Sequence, residues 1–260
     1  MYKEFETRTS YRYLKEVIKS LNEPICILGG WAVFLQVNKK FQKEQQLPYL
    51  GSRDIDLGFH MNNKITKNSV IMQSIAILEE KLKFKPLSFR LYKEIHTETE
   101  EEIRPGQLIP PHFIFPMYID LIVDTIPSDF KKITGFNPID EPLLKFVFED
   151  HKTITTEFNK KLLLPKPELI MAMKLKSVPE RGDKAHKKIK DLCDFFALAW
   201  YTDIKIDELY KNVSKYLSQK IINRAIKNIT EQDLQQASAH VNHPVRDFKA
   251  IMENLKREHS

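Results

Sequence analysis

The fold of this chain is decided by residues 25–32, which read ICILGGWA. The four apolar residues predict a short buried strand, and the two glycines predict a tight turn into a helix. Neither Gly29 nor Gly30 has a Cβ, so the backbone can approach a bulky anion closely, and the helix start points free N–H groups at it. The stretch therefore predicts a phosphate-binding turn, the alternative being a plain turn. With only 7 glycines in 260 residues, an adjacent pair stands out from the composition.

A second short stretch, RDIDL at residues 53–57, carries two carboxylates in a strand-forming segment. On a strand, Asp54 and Asp56 leave one face, while Ile55 and Leu57 leave the other. Neighbouring carboxylates repel each other unless a cation lies between them, and Mg²⁺ prefers oxygen ligands of this kind. The pair therefore predicts a Mg²⁺ site, which Mn²⁺ could also fill.

A third carboxylate is expected from residues 117–124, MYIDLIVD, where aspartate interrupts an apolar run. Asp120 and Asp124 share one strand face, so either could approach the same ion. Asp120 is preferred, because apolar residues flank it and it lies further from the strand end expected near Pro127. A glycine turn that binds phosphate, next to carboxylates that bind Mg²⁺, is the minimum set of groups needed for phosphoryl or nucleotidyl transfer.

Together, Gly29-Gly30, Asp54-Ile55-Asp56 and Asp120 resemble the polymerase-β-type nucleotidyltransferase superfamily, whose pattern is a glycine-rich turn, a D-h-D pair and a later acidic residue. The downstream segments PELIMAMK (167–174), RG (181–182) and KDLCD (190–194) are similar to the AbiEii-type nucleotidyltransferase toxins. The resemblance spans roughly residues 25–200. This chain departs from the pattern in having Gly30 where many members have serine, and in a longer insertion between Gly30 and Asp54.

The resemblance implies a toxin of a toxin–antitoxin system, with a cognate antitoxin as partner. It would transfer a nucleotide from a nucleoside triphosphate, such as ATP, to an acceptor hydroxyl on tRNA or another RNA, with Mg²⁺ bound by Asp54, Asp56 and Asp120. The implied fold is α+β, a nucleotidyltransferase-like mixed β-sheet flanked by helices and followed by an all-helical C-terminal part. The alternatives are a transferase for a small molecule such as an antibiotic, and a non-catalytic RNA-binding module on the same fold.

Two helices predicted after Pro167 carry further candidates. Lys174 lies beside apolar positions of the first helix, so its ammonium could reach the outer phosphates or extend to solvent. On the second helix, Lys190 and Asp194 are spaced to pair at i, i+4. The family comparison gives Lys190 and Asp191 a role in positioning nucleotide or acceptor, with Asp191 and Lys174 among the catalytic residues and Asp194 structural or supporting.

The remaining pattern predicts the elements between these motifs. A short buried helix at 31–35 is followed by a lysine-rich loop at 38–46, which should deliver Ser52 and Arg53 to the nucleotide, although Arg53 could instead be solvated. Helices are expected at 11–21, 69–82, 168–178 and 184–200, followed by two or three at 206–217, 220–229 and 245–255. One or two strands are expected at 84–95, a strand at 113–123, and sheet or sheet-edge segments at 143–148 and 160–164. The composition shift near Pro165 predicts a nucleotidyltransferase-like domain at 1–165 and a helical domain at 166–260 that completes the active site.

Composition limits the class of protein. An apolar content of 42% allows a sizeable core, and a net charge of +6 favours polyanionic partners such as RNA, although it also suits an ordinary lysine-rich exterior. No apolar run approaches the roughly 18 residues of a membrane span, so a cytoplasmic protein without membrane contact is expected. Cys26 and Cys193 lie in apolar segments and are expected to be buried thiols. The basic residues of the C-terminal helices that could face RNA are Lys211, Lys215, Lys220, Arg224, Lys227, Arg246, Lys249, Lys256 and Arg257.

Overall fold

The computed structural model describes residues 2–61, 65–182 and 184–256. The chain divides into two compact units. The sheet unit consists of residues 2–31 and 51–165, and the helical unit consists of residues 32–50 and the described part of 166–260. The predicted α+β class, a mixed sheet with flanking helices followed by a helical C-terminal part, is confirmed.

The strands of the described residues all belong to one sheet in the sheet unit. They are β1 (Ile25–Ile27), β2 (Ile55–Phe59), β3 (Lys85–Leu87), β4 (Arg90–His96), β5 (Ile114–Val123), β6 (Ile139–Asp140), β7 (Lys152–Glu157) and β8 (Lys160–Pro165). The strand order is β3-β4-β5-β2-β1-β8-β7, with β6 beside β5. The pairs β2–β5, β1–β8 and β5–β6 are parallel and the others antiparallel, so the sheet is mixed.

Helix packing is clearest on one face of this sheet. Helix α1 (Glu4–Ser20) lies against it, with Phe5 edge-on to Phe115 of β5 at 5.6 Å between ring centroids. The odd-numbered residues of β5 from Phe115 to Val123 are at most 2% exposed, whereas Tyr118 and Ile122 are half-buried. Because side chains alternate along a strand, the even-numbered positions point to the opposite face. The other helices of the sheet unit are α3 (Val70–Ala76), continued by a π-helical segment (Ile77–Lys81), α4 (Phe130–Thr134) and α5 (Lys145–Glu149).

Helix α2 (Gly29–Gln45) begins in the sheet unit, and its residues from 32 onward belong to the helical unit. Because α2 continues to Gln45, the prediction of a short helix at 31–35 followed by a loop at 38–46 was wrong. Val33, Val37 and Phe41 recur every four residues and are at most 4% exposed, so the apolar stripe continues beneath the lysines.

The helical unit is built around α7 (Ala185–Tyr201), where Phe196 is fully buried and contacts Phe248 at 4.2 Å between centroids. The remaining helices of this unit are α6 (Pro167–Ser177), α8 (Leu209–Val213), α9 (Gln219–Lys227), α10 (Glu231–Val241) and α11 (Val245–Lys256). Pro167 stands in the first turn of α6, as predicted, where its missing N–H costs no helical hydrogen bond.

Further elements differ from the prediction, since β6, β7 and α4 were not predicted. Residues 143–148 were expected in the sheet, but they form a 3₁₀ turn (Pro142–Leu144) and α5, because the buried Leu144 and Val147 have helical spacing. Helix α10 was not predicted. Its buried stripe contains only Leu234, Ala237 and Val241, so its start is marked more clearly by the capping box of Thr230 than by apolar residues.

Candidate active site

Three charged side chains form a row across neighbouring strands on the face opposite α1. Asp56 of β2 is in register with Asp120 of β5, and Asp120 is in register with Arg90 of β4. Residues in register point to the same face of a sheet. The Nη2 of Arg90 donates a hydrogen bond to Oδ2 of Asp120 at 2.8 Å. We call Arg90, Asp120 and Asp56 the charged row.

The glycine turn lies directly against the charged row. Gly29 is the first residue of α2 and has φ +59, and a Cβ at this position would overlap the carboxylate of Asp56. The backbone N–H of Leu28 donates to the carbonyl of Asp56 at 2.9 Å, which fixes the turn to β2. Only a residue without a side chain lets the carboxylate approach the helix start so closely. The structure thus brings Gly29, Asp56 and Asp120 together, with Gly30 buried next to Gly29 in α2.

Asp54 lies in the bend immediately before β2 and is partly buried. Of the predicted pair, only Asp56 is therefore within the strand. Among the described residues there is no cluster of three or more His, Cys, Asp or Glu side chains arranged to hold a metal ion. The carboxylate oxygens of Asp56 and Asp120 are nevertheless donors of the kind that Mg²⁺ and Mn²⁺ take, so the charged row fits a hard divalent cation in its chemistry, with Asp56 and Asp120 as the residues that would hold it.

Asp124 has different partners from Asp120. It lies just beyond the end of β5, where Oδ1 accepts the backbone N–H of Met61 at 2.9 Å and Oδ2 is 2.5 Å from Nδ1 of His60. Its side chain is only 4% exposed. Asp124 therefore joins the end of β2 to β5, and of the two aspartates considered from the sequence it is Asp120 that is in register with Asp56.

The two predicted nucleotide-binding residues before β2 are placed differently. Arg53 lies 3.5 Å from Glu6 of α1, and its guanidinium is 5.0 Å from the ring centroid of Phe115. Because Phe115 is on the packed face, Arg53 points away from the charged row. Ser52 is only 7% exposed.

In the helical unit, the predicted candidates form a buried polar network. Nζ of Lys174 is 2.8 Å from Asp191 and 2.7 Å from Asp194, while Lys190 forms an ion pair with Asp194 at the spacing expected from the sequence. The side chains of Asp191 and Asp194 are 3% and 0% exposed. The network consists of Tyr49, Lys174, Ser177, Arg181, Lys190, Asp191 and Asp194.

Hydrogen bonds complete this network. Asp191 accepts from Ser177 at 3.1 Å and from Arg181 at 2.5 Å, and Asp194 accepts from the hydroxyl of Tyr49 at 2.8 Å. Burial by itself would lower the pKa of Lys174, but attraction to the two carboxylates outweighs it and raises that pKa above its ordinary value. Burial would likewise raise the pKa of Asp194, yet Lys174 and Lys190 hold it below its ordinary value. Lys174 and Asp194 are therefore both charged at neutral pH and form a charge-assisted ion pair.

Sequence reasoning missed Arg90 and Tyr49. A weak signal for Arg90 was available, since Arg90 and Tyr92 alternate with the buried Leu91 in a half-polar strand. Its pairing with Asp120 depends on the register between β4 and β5, which no local pattern contains. Tyr49 follows Pro48 in a short loop, and nothing in that stretch indicates a partner on α7.

Other predictions concern the surface and the thiols. Some basic residues of the C-terminal helices form ion pairs, including Lys249 with Glu231 at 2.9 Å and Lys256 with Glu253 at 2.8 Å, while Arg257 lies outside the described residues. Cys26 and Cys193 are buried free thiols, as predicted, and burial raises the pKa of each to about 12. Within the described ranges, every helix is too short or too polar to cross a membrane.

Comparison with known protein families gives no match. No curated protein matches the chain either. Among solved structures, the chain is similar to the crystal structure of an antigenic nucleotidyltransferase-like protein from Paracoccidioides brasiliensis, with 17% sequence identity, a TM-score of 0.45 and coverage of 92% of each chain.

Proposed function

We propose that this protein is a nucleotidyltransferase: the oxygen of an acceptor hydroxyl bonds to the α-phosphorus of a nucleoside triphosphate as the bond to pyrophosphate breaks, and pyrophosphate leaves. One observation carries the proposal. Asp56 and Asp120 are in register on neighbouring parallel strands, and the carboxylate of Asp56 lies against Gly29 at the start of α2. Two carboxylates beside a helix start combine a cation site with a phosphate site.

The roles in this reaction follow from the chemistry of each group. Asp56 and Asp120, with Asp54 beside them in the chain, would hold Mg²⁺ or Mn²⁺, which when bound supplies positive charge and activates a hydroxyl nucleophile. The N–H groups of Gly29 and Gly30 would bind phosphate oxygens, since the first N–H groups of a helix have no partner within it. Asp120 would accept the proton of the acceptor hydroxyl. Catalysis of this kind depends on positioning and electrostatics.

For the acceptor we propose an RNA such as tRNA, and for the biological role a toxin neutralised by a cognate antitoxin. Both follow from the resemblance of the sequence to AbiEii-type toxins, and the net charge of +6 supports a polyanionic acceptor. A second candidate, a non-catalytic RNA-binding module, is favoured by one observation: Asp120 is already paired with Arg90, as a purely structural carboxylate would be.

The test is nucleotide incorporation. Purified protein with Mg²⁺ is incubated with total RNA and each labelled nucleoside triphosphate in turn, and a parallel series offers small hydroxylated molecules. We expect RNA labelling that falls about a hundredfold or more in Asp56→Asn, since the variant loses a charged ligand. Asp150→Asn is the matched control, because Asp150 is an aspartate of the same unit with a fully exposed side chain.

The outcomes separate the candidates. Equal labelling by Asp56→Asn and the wild type would refute the assignment of the carboxylates, and RNA binding without labelling by any triphosphate would favour the non-catalytic module. Labelling confined to a small molecule would replace the acceptor while keeping the chemistry. Growth arrest on expression that requires Asp56 and is relieved by a neighbouring gene product would support the toxin.

A further inference from the structure

The guanidinium of Arg90 is held on several sides. It donates to Asp120 at 2.8 Å, lies 4.3 Å from the ring centroid of Tyr118 and lies 4.7 Å from that of Phe89. The side chains of Arg90 and Asp120 are only 17% and 9% exposed. Aromatic faces attract a guanidinium, and partial burial strengthens both this attraction and the ion pair. Arg90 is therefore a preorganised cation in the charged row.

This cation occupies a place that the proposed function needs. A metal ion held by Asp56 and Asp120 would carry positive charge to the same carboxylate that Arg90 already neutralises. Two cations on one carboxylate repel each other, so metal binding and the ion pair of Arg90 with Asp120 oppose each other. An anion that draws Arg90 away from Asp120 would relieve this conflict.

A nucleoside triphosphate is such an anion. The planar guanidinium presents paired N–H donors whose spacing matches both a carboxylate and a phosphate. Exchanging one partner for the other keeps the hydrogen bonds of Arg90 and frees an oxygen of Asp120. Only the side chain of Arg90 has to move in this exchange. Its backbone is held in place, since β4 pairs with β5 along its whole length, from Arg90 opposite Asp120 to His96 opposite Ile114.

We infer that Arg90 is the resting counterion of Asp120, and that it exchanges this carboxylate for a phosphate oxygen of the incoming triphosphate. The inference rests on the proposed function, since it assigns the charged row to a metal ion and a nucleotide. It makes Arg90 a nucleotide-binding residue that also lowers the affinity of the free protein for divalent cations. Cation and triphosphate then bind cooperatively, because each removes an obstacle to the other.

The test is the variant Arg90→Gln in two binding measurements on the full chain. Mn²⁺ binding to the free protein is followed by the loss of its paramagnetic resonance signal, and ATP binding in excess EDTA is followed by calorimetry. We expect Arg90→Gln to bind Mn²⁺ about tenfold more tightly and metal-free ATP about tenfold more weakly, within the usual range for coupled sites. A residue that only joined two strands would not move these affinities in opposite directions.

Two further variants serve as controls. Arg8→Gln removes the same charge from an arginine of the same unit that pairs with Glu100, and we expect both affinities to stay at the wild-type value. Arg90→Lys keeps the charge without the planar fork, so Mn²⁺ affinity should stay near wild type while metal-free ATP binding weakens. Circular dichroism confirms that each variant is folded, and Arg90→Lys carries the ATP comparison if Arg90→Gln is not.

Unchanged Mn²⁺ affinity in Arg90→Gln, or unchanged ATP binding in both Arg90 variants, would overturn the inference. Transfer activity measured in parallel distinguishes this failure from that of the proposed function. Labelling of RNA with unaltered Mn²⁺ affinity removes only the role of Arg90. The expected shifts without any labelling would support the exchange at the charged row and remove the transferase.

Discussion

Replacing Lys174 by methionine tests whether this lysine stabilises the helical unit. Its side chain is only 12% exposed, and its ammonium lies 2.8 Å from Asp191 and 2.7 Å from Asp194. Methionine retains most of the aliphatic stem and removes the charge, so the variant isolates the loss of the ammonium. Two buried carboxylates then lose a shared cation.

The magnitude follows from the partners that remain. Removing one member of a buried ion pair costs about 3–5 kcal/mol, because the other charge is left uncompensated. Asp191 still has Ser177 and Arg181, and Asp194 still has Lys190 and a hydroxyl donor. Because these contacts remain, we expect the free energy of unfolding to fall by about 3 kcal/mol, the lower end of that range.

The assay is urea unfolding followed by tryptophan fluorescence. The chain has two tryptophans, and in a Trp31→Phe background Trp200 on α7 reports the helical unit. Lys227→Met, the same substitution at an exposed position of α9, should change stability by no more than about 0.5 kcal/mol. If Lys174→Met unfolds at the same urea concentration as Lys227→Met and loses nucleotide affinity instead, Lys174 serves a ligand and the structural argument is refuted.

Three further predictions concern single carboxylates and the glycine turn. The pKa of Asp194 in the folded protein lies below its ordinary 3.8, so this carboxylate stabilises the fold above pH 3.8, and the stabilisation is lost as the pH falls through the folded pKa. Between about pH 5 and pH 2, the urea midpoint of Asp194→Asn should therefore fall less than that of the wild type. Gly29→Ala should lower the melting temperature more than Gly135→Ala. Both glycines have positive φ, at which alanine costs about 1–2 kcal/mol, but only a Cβ at position 29 would also overlap a carboxylate. Asp124→Asn should cost about 1–3 kcal/mol in unfolding free energy while leaving nucleotide transfer intact in the folded enzyme.

Each of these has its own contrary result. A wild-type acid profile in Asp194→Asn would mean that Asp194 is not charged in the folded state. Equal melting temperatures for the two alanine variants would mean that Asp56 moves aside at no cost. Loss of nucleotide transfer by a fully stable Asp124→Asn would mean that Asp124, rather than Asp120, is the third acidic residue of the site.

The sequence was informative wherever a motif is local. The two glycines after an apolar run and the aspartates around Ile55 needed only neighbouring residues to be recognised, and the structure brings Gly29 and Asp56 together. The length of α2 was misjudged because its lysines and glutamines outweighed the apolar stripe of Val33, Val37 and Phe41. That stripe becomes a helix face only when other elements cover it.

Contacts between distant elements could not be predicted. Asp120 and Arg90 meet because β4 and β5 pair in one register, and a shift by one residue would turn each side chain to the other face. The sequence allowed Lys174 on α6 either to reach inward or to extend to solvent, and in the structure it lies inward between two partners on α7. A cation that faces inward looks the same in the sequence whether it meets a phosphate or a buried carboxylate.

The overlap between a Cβ at position 29 and the carboxylate of Asp56 has a genetic consequence. In most crowded pairs, a larger residue at one position can be rescued by a smaller one at the other. Here the smaller residue would delete the carboxylate that the proposed reaction requires, and the left-handed backbone at position 29 would still disfavour a side chain. A selection for active revertants of Gly29→Ala should therefore return glycine at position 29 rather than a second-site change at position 56.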